Sequence, residues 1–210
     1  MLCCAALFTA MNTDSSHILH NIIPPQVLLT AYREGFFPMA EERNGAIYWH
    51  FADPRAIIPL DKIKPHKSVR QTIRRENLEF KIDNNFETVI RKCAAREETW
   101  ISDELIDSYI NLHHFGYAHS VETYRNGELV GGLYGVAIGG AFFGESMFSE
   151  TSNASKAAFF YLGYHLINRG FVLLDSQYIN EHTKLLGAIE IPGSVYLDIL
   201  KRAIRMPVTF

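Results

Sequence analysis

The run from His119 to Phe148 limits what this chain can fold into more than any other stretch. Segments His119–Tyr124 and Glu128–Ala137 flank Asn126-Gly127, a dipeptide suited to the left-handed backbone of a type I′ hairpin turn. Gly139-Gly140 then leads into Ala141–Phe148, so three antiparallel strands follow one another in sequence. A meander of this kind needs cover, and the flanking sequence supplies it. Upstream, Leu78–Ile82 reads as a strand, and Phe86–Arg96 and Asp103–Phe115 as helices, the second ending at Gly116. Downstream come a helix over Asn153–Asn168, a buried strand over Phe171–Asp175, a short helix over Glu181–Leu186 and a last helix over Ser194–Ile204. Strands followed by helix, strand and helix predict a mixed sheet covered by helices, in the α/β or α+β class.

Residues 11–60 differ in texture. Pro24-Pro25, Gly35, Pro38, Asn44-Gly45, Pro54 and Pro59 break the stretch into turns. A helix over Pro25–Glu34 fits between them, with proline in its first turn and Gly35 as its stop. Phe36-Phe37 and Tyr48–Phe51 suggest short strands or a loop wall. We expect a small N-terminal domain over residues 1–60 and a larger unit over 61–210. With 210 residues, 48% hydrophobic and 20% charged, the chain can build a real core, which excludes a disordered tail or a disulfide-stapled scaffold. Cys3, Cys4 and Cys93 are odd in number and lack metal-ligand spacing, which points to a reducing compartment and no bound metal. The apolar opening Met1–Ala10 lacks a basic flank and is too short to span a bilayer. Met11 is a plausible initiator, and the expected location is cytoplasmic, without a membrane partner.

The formal net charge of −3 argues against a chain that is basic throughout. The charge is segregated, however: Arg55–Arg75 holds seven Lys or Arg against one Asp. Read as a helix over 62–75, this segment anchors through Val69 and Ile73, while Lys67, Arg70 and Arg74 recur along another face. Such a stripe is either a solvated face or a seat for a phosphate backbone.

A polar cluster falls where two apolar strands end, at Gly144-Glu145-Ser146 and at Asp175-Ser176-Gln177. With a period of two, Asp175 and Gln177 face the same side, and Glu145 joins them if the strands are neighbours. Asp175 accepting from the Gln177 amide would leave the Gln177 oxygen free for a substrate amine. A hydrogen-bonded cap at the strand ends is the plainer explanation. Ser146 is not a hydrolase nucleophile, because Phe148 stands where the Gly-x-Ser-x-Gly elbow requires glycine. Trp100, just before a helix, either lines a cleft or staples the helix start.

These residues resemble the leucyl/phenylalanyl-tRNA–protein transferases. The blocks that carry the likeness include Ala31-Tyr32-Arg33-Glu34-Gly35-Phe36-Phe37-Pro38, Asp53-Pro54-Arg55-Ala56, Thr99-Trp100-Ile101-Ser102, Gly131-Gly132-Leu133-Tyr134-Gly135, Gly144-Glu145-Ser146-Met147-Phe148-Ser149 and Asp175-Ser176-Gln177 with Asn180-Glu181-His182. They run colinearly through residues 27–199. The resemblance implies an enzyme that moves Leu or Phe, and Met less well, from its tRNA to an N-terminal Arg or Lys. The acceptor protein is thereby marked for degradation by the N-end rule. It also implies a larger domain similar to the Gcn5-related N-acetyltransferase fold, and no cofactor.

Carried onto this chain, the likeness makes Asp175 and Gln177 the catalytic pair and Glu145 the active-site carboxylate. Leu133, Phe142, Phe159, Leu162, Leu166 and Leu174 become the aminoacyl pocket. Trp100 and Tyr109 fall at the cleft for the 3′ adenosine, and Lys67, Arg70, Arg74 and Arg75 at the acceptor-stem patch. Met39 stands where better-studied members carry tryptophan, so it keeps apolar contact but loses an indole face. Gln71 interrupts the basic stripe, and Ser176 replaces a familiar cysteine. Competing readings are a CoA-dependent N-acetyltransferase, whose pyrophosphate turn is missing from Gly144–Lys156, a noncatalytic tRNA-binding protein, and a transferase acting on N-terminal Asp or Glu.

Overall fold

A computed structural model describes residues 22–43 and 45–210. The apolar opening, Met11, Cys3, Cys4 and Asn44 of the expected turn lie outside the described residues. Helix α1 (Pro25–Arg33) starts with proline where its missing N–H costs nothing and ends before Gly35, at φ +87°. Strands β1 (Phe37–Ala40) and β2 (Ile47–His50) pair antiparallel as a small separate ribbon.

The main sheet has seven strands. They are β3 (Arg55–Ile57), β4 (Glu79–Ile82), β5 (Ala118–Arg125), β6 (Glu128–Ile138), β7 (Ala141–Ser149), β8 (Leu173–Gln177) and β9 (Ile189–Ile191), in the spatial order β4-β5-β6-β7-β8-β3-β9. The expected meander forms β5–β6–β7, with Asn126 and Gly127 at φ +53° and +81° in its first turn. Two strands were not legible in the sequence. β3 lies in the turn-rich region assigned to the N-terminal layer, yet it sits inside the main sheet between β8 and β9. Each is three residues long, too short for a periodic signal.

Helices α2 (Lys67–Arg75), α3 (Phe86–Ala94), α4 (Asp103–His114), α5 (Ala154–Arg169), α6 (Glu181–Leu185) and α7 (Gly193–Ala203) complete the fold. The sheet is buried on both faces, and period two assigns neighbours to opposite sides. Tyr134, Phe143 and Leu173 join α1, α3, α4 and α7 in one core. Leu133, Phe142 and Leu174 join α2 and α5 in the other. Glycines permit the closest approaches. A Cβ on Gly131 would lie 2.6 Å from Ala154 Cβ at the start of α5, and one on Gly135 would lie 2.3 Å from the Phe143 carbonyl oxygen. No helix among the described residues is long and apolar enough to cross a membrane.

The sheet divides where the site forms. β7 and β8 are parallel and pair only through Ala141–Phe143 and Leu173–Asp175. Beyond that point β7 continues with β6, while β8 turns to β3. The two strand ends splay apart, and a crevice opens at their carboxyl ends.

Candidate active site

The crevice is a pocket of about 870 Å³. Leu133, Phe159, Leu162, Leu174 and Ile58 line its apolar side; Glu145, Asp175 and Gln177 line its polar side, and Met39 and Trp100 close one wall. A backbone bond from Ala40 N–H to the Trp100 carbonyl (3.1 Å) ties that wall together. Phe142 and Leu166 are fully buried in the core behind the lining. Tyr109, also fully buried, lies beneath the polar side rather than in the wall.

Two irregularities aim the polar residues. Tyr134 pairs with Ser146 and Gly135 with Gly144, which leaves Glu145 as the extra residue of a bulge on β7. Ala56 pairs with Gln177 and Ile57 with Asp175, which leaves Ser176 extra on β8. A bulge bends its strand and redirects a side chain.

The bulge at Ser176 corrects the period-two expectation. Asp175 does not orient the Gln177 side-chain amide. Its Oδ1 instead accepts the Gln177 backbone N–H at 2.9 Å, an Asx-type turn that holds Gln177 at φ +57°. The amide is oriented by Glu145, whose Oε1 accepts from Gln177 Nε2 at 3.2 Å. The Gln177 carbonyl oxygen is thus the end left to accept a proton donor.

Three residues that sequence reasoning did not single out complete the frame. Arg55 is fully buried and donates to both Asp175 oxygens, at 2.9 and 2.7 Å, and to the Gly35 carbonyl at 2.8 Å. Burial works against its charge, but Asp175 more than compensates and its pKa is raised. Tyr196 on α7 also donates to Asp175 Oδ2, at 2.7 Å. Phe37 and Tyr196 each hold a ring against the Arg55 guanidinium, at 4.9 and 4.4 Å. Tyr32 donates to Glu145 Oε1 at 2.7 Å, and Tyr109 to Oε2 at 3.3 Å. Tyr32 and Arg55 sit inside blocks of the sequence likeness; nothing in local periodicity marks them.

Glu145 keeps some surface toward the pocket, but protein crowds it. Burial pushes its carboxyl up to about 7 and the nearby Asp175 pushes the same way, while the hydrogen bonds from Tyr32 and Tyr109 and the Arg55 charge pull it down. The group changes charge near neutrality. The Tyr134 hydroxyl, buried beside it, has no hydrogen-bond partner.

The basic residues lie elsewhere. Lys67, Arg70, Arg74 and Arg75 are exposed on α2, outside the pocket lining, and Val69 and Thr72 hold the helix to the core. The helix begins at Lys67 rather than at 62, because Pro65 and a short 3-10 turn at Leu60–Lys62 precede it.

The sequence pattern of the leucyl/phenylalanyl-tRNA protein transferases matches residues 57–201, and that of their N-terminal domain residues 22–53. This chain belongs to that family. A leucyl/phenylalanyl-tRNA–protein transferase of Gloeobacter violaceus is 52% identical over 188 residues, 90% of this chain and 97% of that one. One from Chlorobium luteolum is 48% identical over 193 residues, 90% of this chain and all of its own. Among solved structures, L-PGS from Bacillus licheniformis aligns with a TM-score of 0.42 at 17% identity, over 74% of this chain and 51% of that one. The transferase family members move an aminoacyl group from tRNA to protein, so this chain is an aminoacyltransferase enzyme. The readings as a CoA-dependent acetyltransferase or a noncatalytic tRNA binder give way to it.

Proposed function

We propose that the enzyme transfers Leu or Phe, and Met less well, to an N-terminal Arg or Lys of acceptor proteins in the cytoplasm, creating a degradation signal. The observation that carries this reading is the apolar pocket ending at the paired polar groups Glu145 and Gln177. Leu133, Phe159, Leu162 and Leu174 take the aminoacyl side chain, backed by Phe142 and Leu166. Trp100 and Met39 face the 3′ adenosine, with Tyr109 below. Lys67, Arg70, Arg74 and Arg75 hold the acceptor stem. The catalytic domain is of the Gcn5-related N-acetyltransferase type.

The reaction joins an ester to an amine. The acceptor nitrogen attacks the ester carbonyl, a C–N bond forms, the C–O bond to the ribose breaks, and the amine proton ends on the ribose oxygen. An α-amino group has a pKa of about 7.7–8.0, so much of it is neutral at cytoplasmic pH. Gln177 accepts an amine N–H and aims the lone pair, while Glu145, poised near 7, relays the proton. Asp175 touches no substrate in this scheme; with Arg55 it fixes the strand end. Holding ester and amine together supplies the larger share, since orientation alone can be worth about 7–11 kcal/mol.

The test uses Leu-tRNA with two peptides, one beginning with Arg and one with Asp, and compares wild type with Gln177→Ala. Transfer to the Arg peptide alone, sharply reduced in the variant, supports the reading. Transfer to the Asp peptide overturns the acceptor assignment, and an undiminished variant removes Gln177 from the mechanism.

A further inference from the structure

We propose that the cations Arg96 and Lys156, with the uncharged His182 imidazole as a hydrogen-bonding group, form a second seat at the pocket mouth, which holds phosphodiesters of the donor's single-stranded 3′ end. This rests on the docking of the donor along α2 proposed above.

Two of these residues converge on one point. The Arg96 guanidinium, beyond the end of α3, donates to the Met147 carbonyl on β7. His182 Nε2 on α6 lies 2.9 Å from the Met147 sulfur. Arg96, Met147 and His182 all line the pocket. Lys156 stands in the first turn of α5. It is near enough to His182 to lower that imidazole's pKa, together with Arg96, after burial as the main cause.

Two of the acids nearby are ion-paired. Glu150 pairs with Lys92, and Glu181 with Lys184 at 2.8 Å. Asp175, the buried carboxylate on the pocket's polar side, is neutralised by Arg55.

The seat is also continuous with α2. Asn153 Nδ2 donates to Thr72 on α2 at 3.1 Å, one turn before Lys156. The His66 ring, at the start of α2, meets the Leu185 carbonyl at the end of α6 at 3.1 Å. A polyanion leaving Lys67, Arg70 and Arg74 thus passes Lys156 and His182 before it reaches the pocket. A nucleotide strand entering this way needs cations spaced along its path, because phosphate contacts set register rather than sequence.

The experiment compares two donors, Leu-tRNA and leucyl-adenosine, which carries the same ester but no phosphate. In the double variant Arg96→Gln/Lys156→Gln, the ratio of kcat/KM for Leu-tRNA over leucyl-adenosine falls about tenfold. The salt slope of Leu-tRNA binding becomes shallower by about 1.4, since each single-strand phosphate contact contributes about 0.7. Lys156→Glu lowers the ratio further. An unchanged ratio, whether both donors suffer equally or neither does, overturns the proposal. Arg70→Gln/Arg74→Gln in the same assay reads the α2 docking separately: an unaltered Leu-tRNA KM there, with a fallen ratio at the mouth, removes the α2 reading alone.

Discussion

The Arg55 guanidinium clasps the Asp175 carboxylate through two parallel bonds, 2.9 and 2.7 Å long, with neither side chain exposed to solvent. β3 and β8 are neighbours in the sheet, so this fork locks the strand that carries Gln177 to the strand that follows the N-terminal layer. With Tyr196 and the Gln177 N–H also bound to Asp175, that carboxylate is fully occupied as a structural frame.

Arg55→Met leaves a buried carboxylate without its cation, which costs about 3–5 kcal/mol. Denaturant melts should show that loss. Arg55→Lys keeps the charge but cannot form the fork, so its stability falls between the two while its kcat drops and its KM for donor holds. A stability for Arg55→Met within about 1 kcal/mol of wild type, well below the cost of an orphaned charge, would show that the pair does not hold the strand end.

Gln177 is held at φ +57°, where a side chain costs about 1–2 kcal/mol relative to glycine. Gln177→Gly should therefore be more stable than Gln177→Ala, while both lose the amide. If the amide positions the amine, both drop in kcat by tenfold or more, which corresponds to at least about 1.4 kcal/mol of transition-state free energy. Equal kcat in either variant and wild type would assign the left-handed turn, not the side chain, to function.

Much of this site was legible in the sequence, and what escaped has a definite cause. The meander, the helices and the strands that carry Glu145 and Asp175 follow from apolar period and turn chemistry, although β7 runs on past Glu145 to Ser149. The geometry between those two strands does not. Period two puts Asp175 and Gln177 on one face, but the bulges at Glu145 and Ser176 insert single residues that no alternation records. Arg55 was counted with a basic run because charge in sequence implies solvent, whereas here tertiary packing buries it against Asp175. Phe142 and Leu166, carried over as pocket residues, have the right character but are fully buried and outside the cavity lining.

That difference in depth gives a test of donor choice. Leu162 lines the pocket and Leu166, one turn further along α5, does not. Truncating either to alanine costs about 2–5 kcal/mol of stability. Only Leu162→Ala enlarges the pocket, and one or two methylene groups change discrimination by about 1–3 kcal/mol each. The ratio of kcat/KM for Phe-tRNA over Leu-tRNA should rise about tenfold or more in Leu162→Ala and stay level in Leu166→Ala. A matching change in both would mean that loosened packing, not pocket volume, sets the preference.

Glu145 predicts a pH signature in stability and in turnover. Its carboxyl has moved from an ordinary 4.5 to about 7, mainly through burial. An acid raised on folding favours the folded state while protonated, so its contribution is full below about 4.5 and is lost as pH climbs through 7. The rise corresponds to about 3 kcal/mol. Wild type should therefore lose stability between pH 5 and 8 that Glu145→Gln does not. The amide variant keeps an oxygen toward Tyr32 and Gln177 and turns its NH₂ to the Tyr109 hydroxyl, which then accepts. Turnover runs the other way: ionised Glu145 is the form able to take the amine proton and attract a cationic acceptor. Transfer to an Arg-initiated peptide should rise from pH 6 to 8 with an inflection near 7 in wild type. In Glu145→Gln the inflection should move to the acceptor amine's own pKa near 8. A wild-type profile that already follows the amine alone would place Glu145 outside proton transfer, and leave it the support for Gln177 that its hydrogen bond describes.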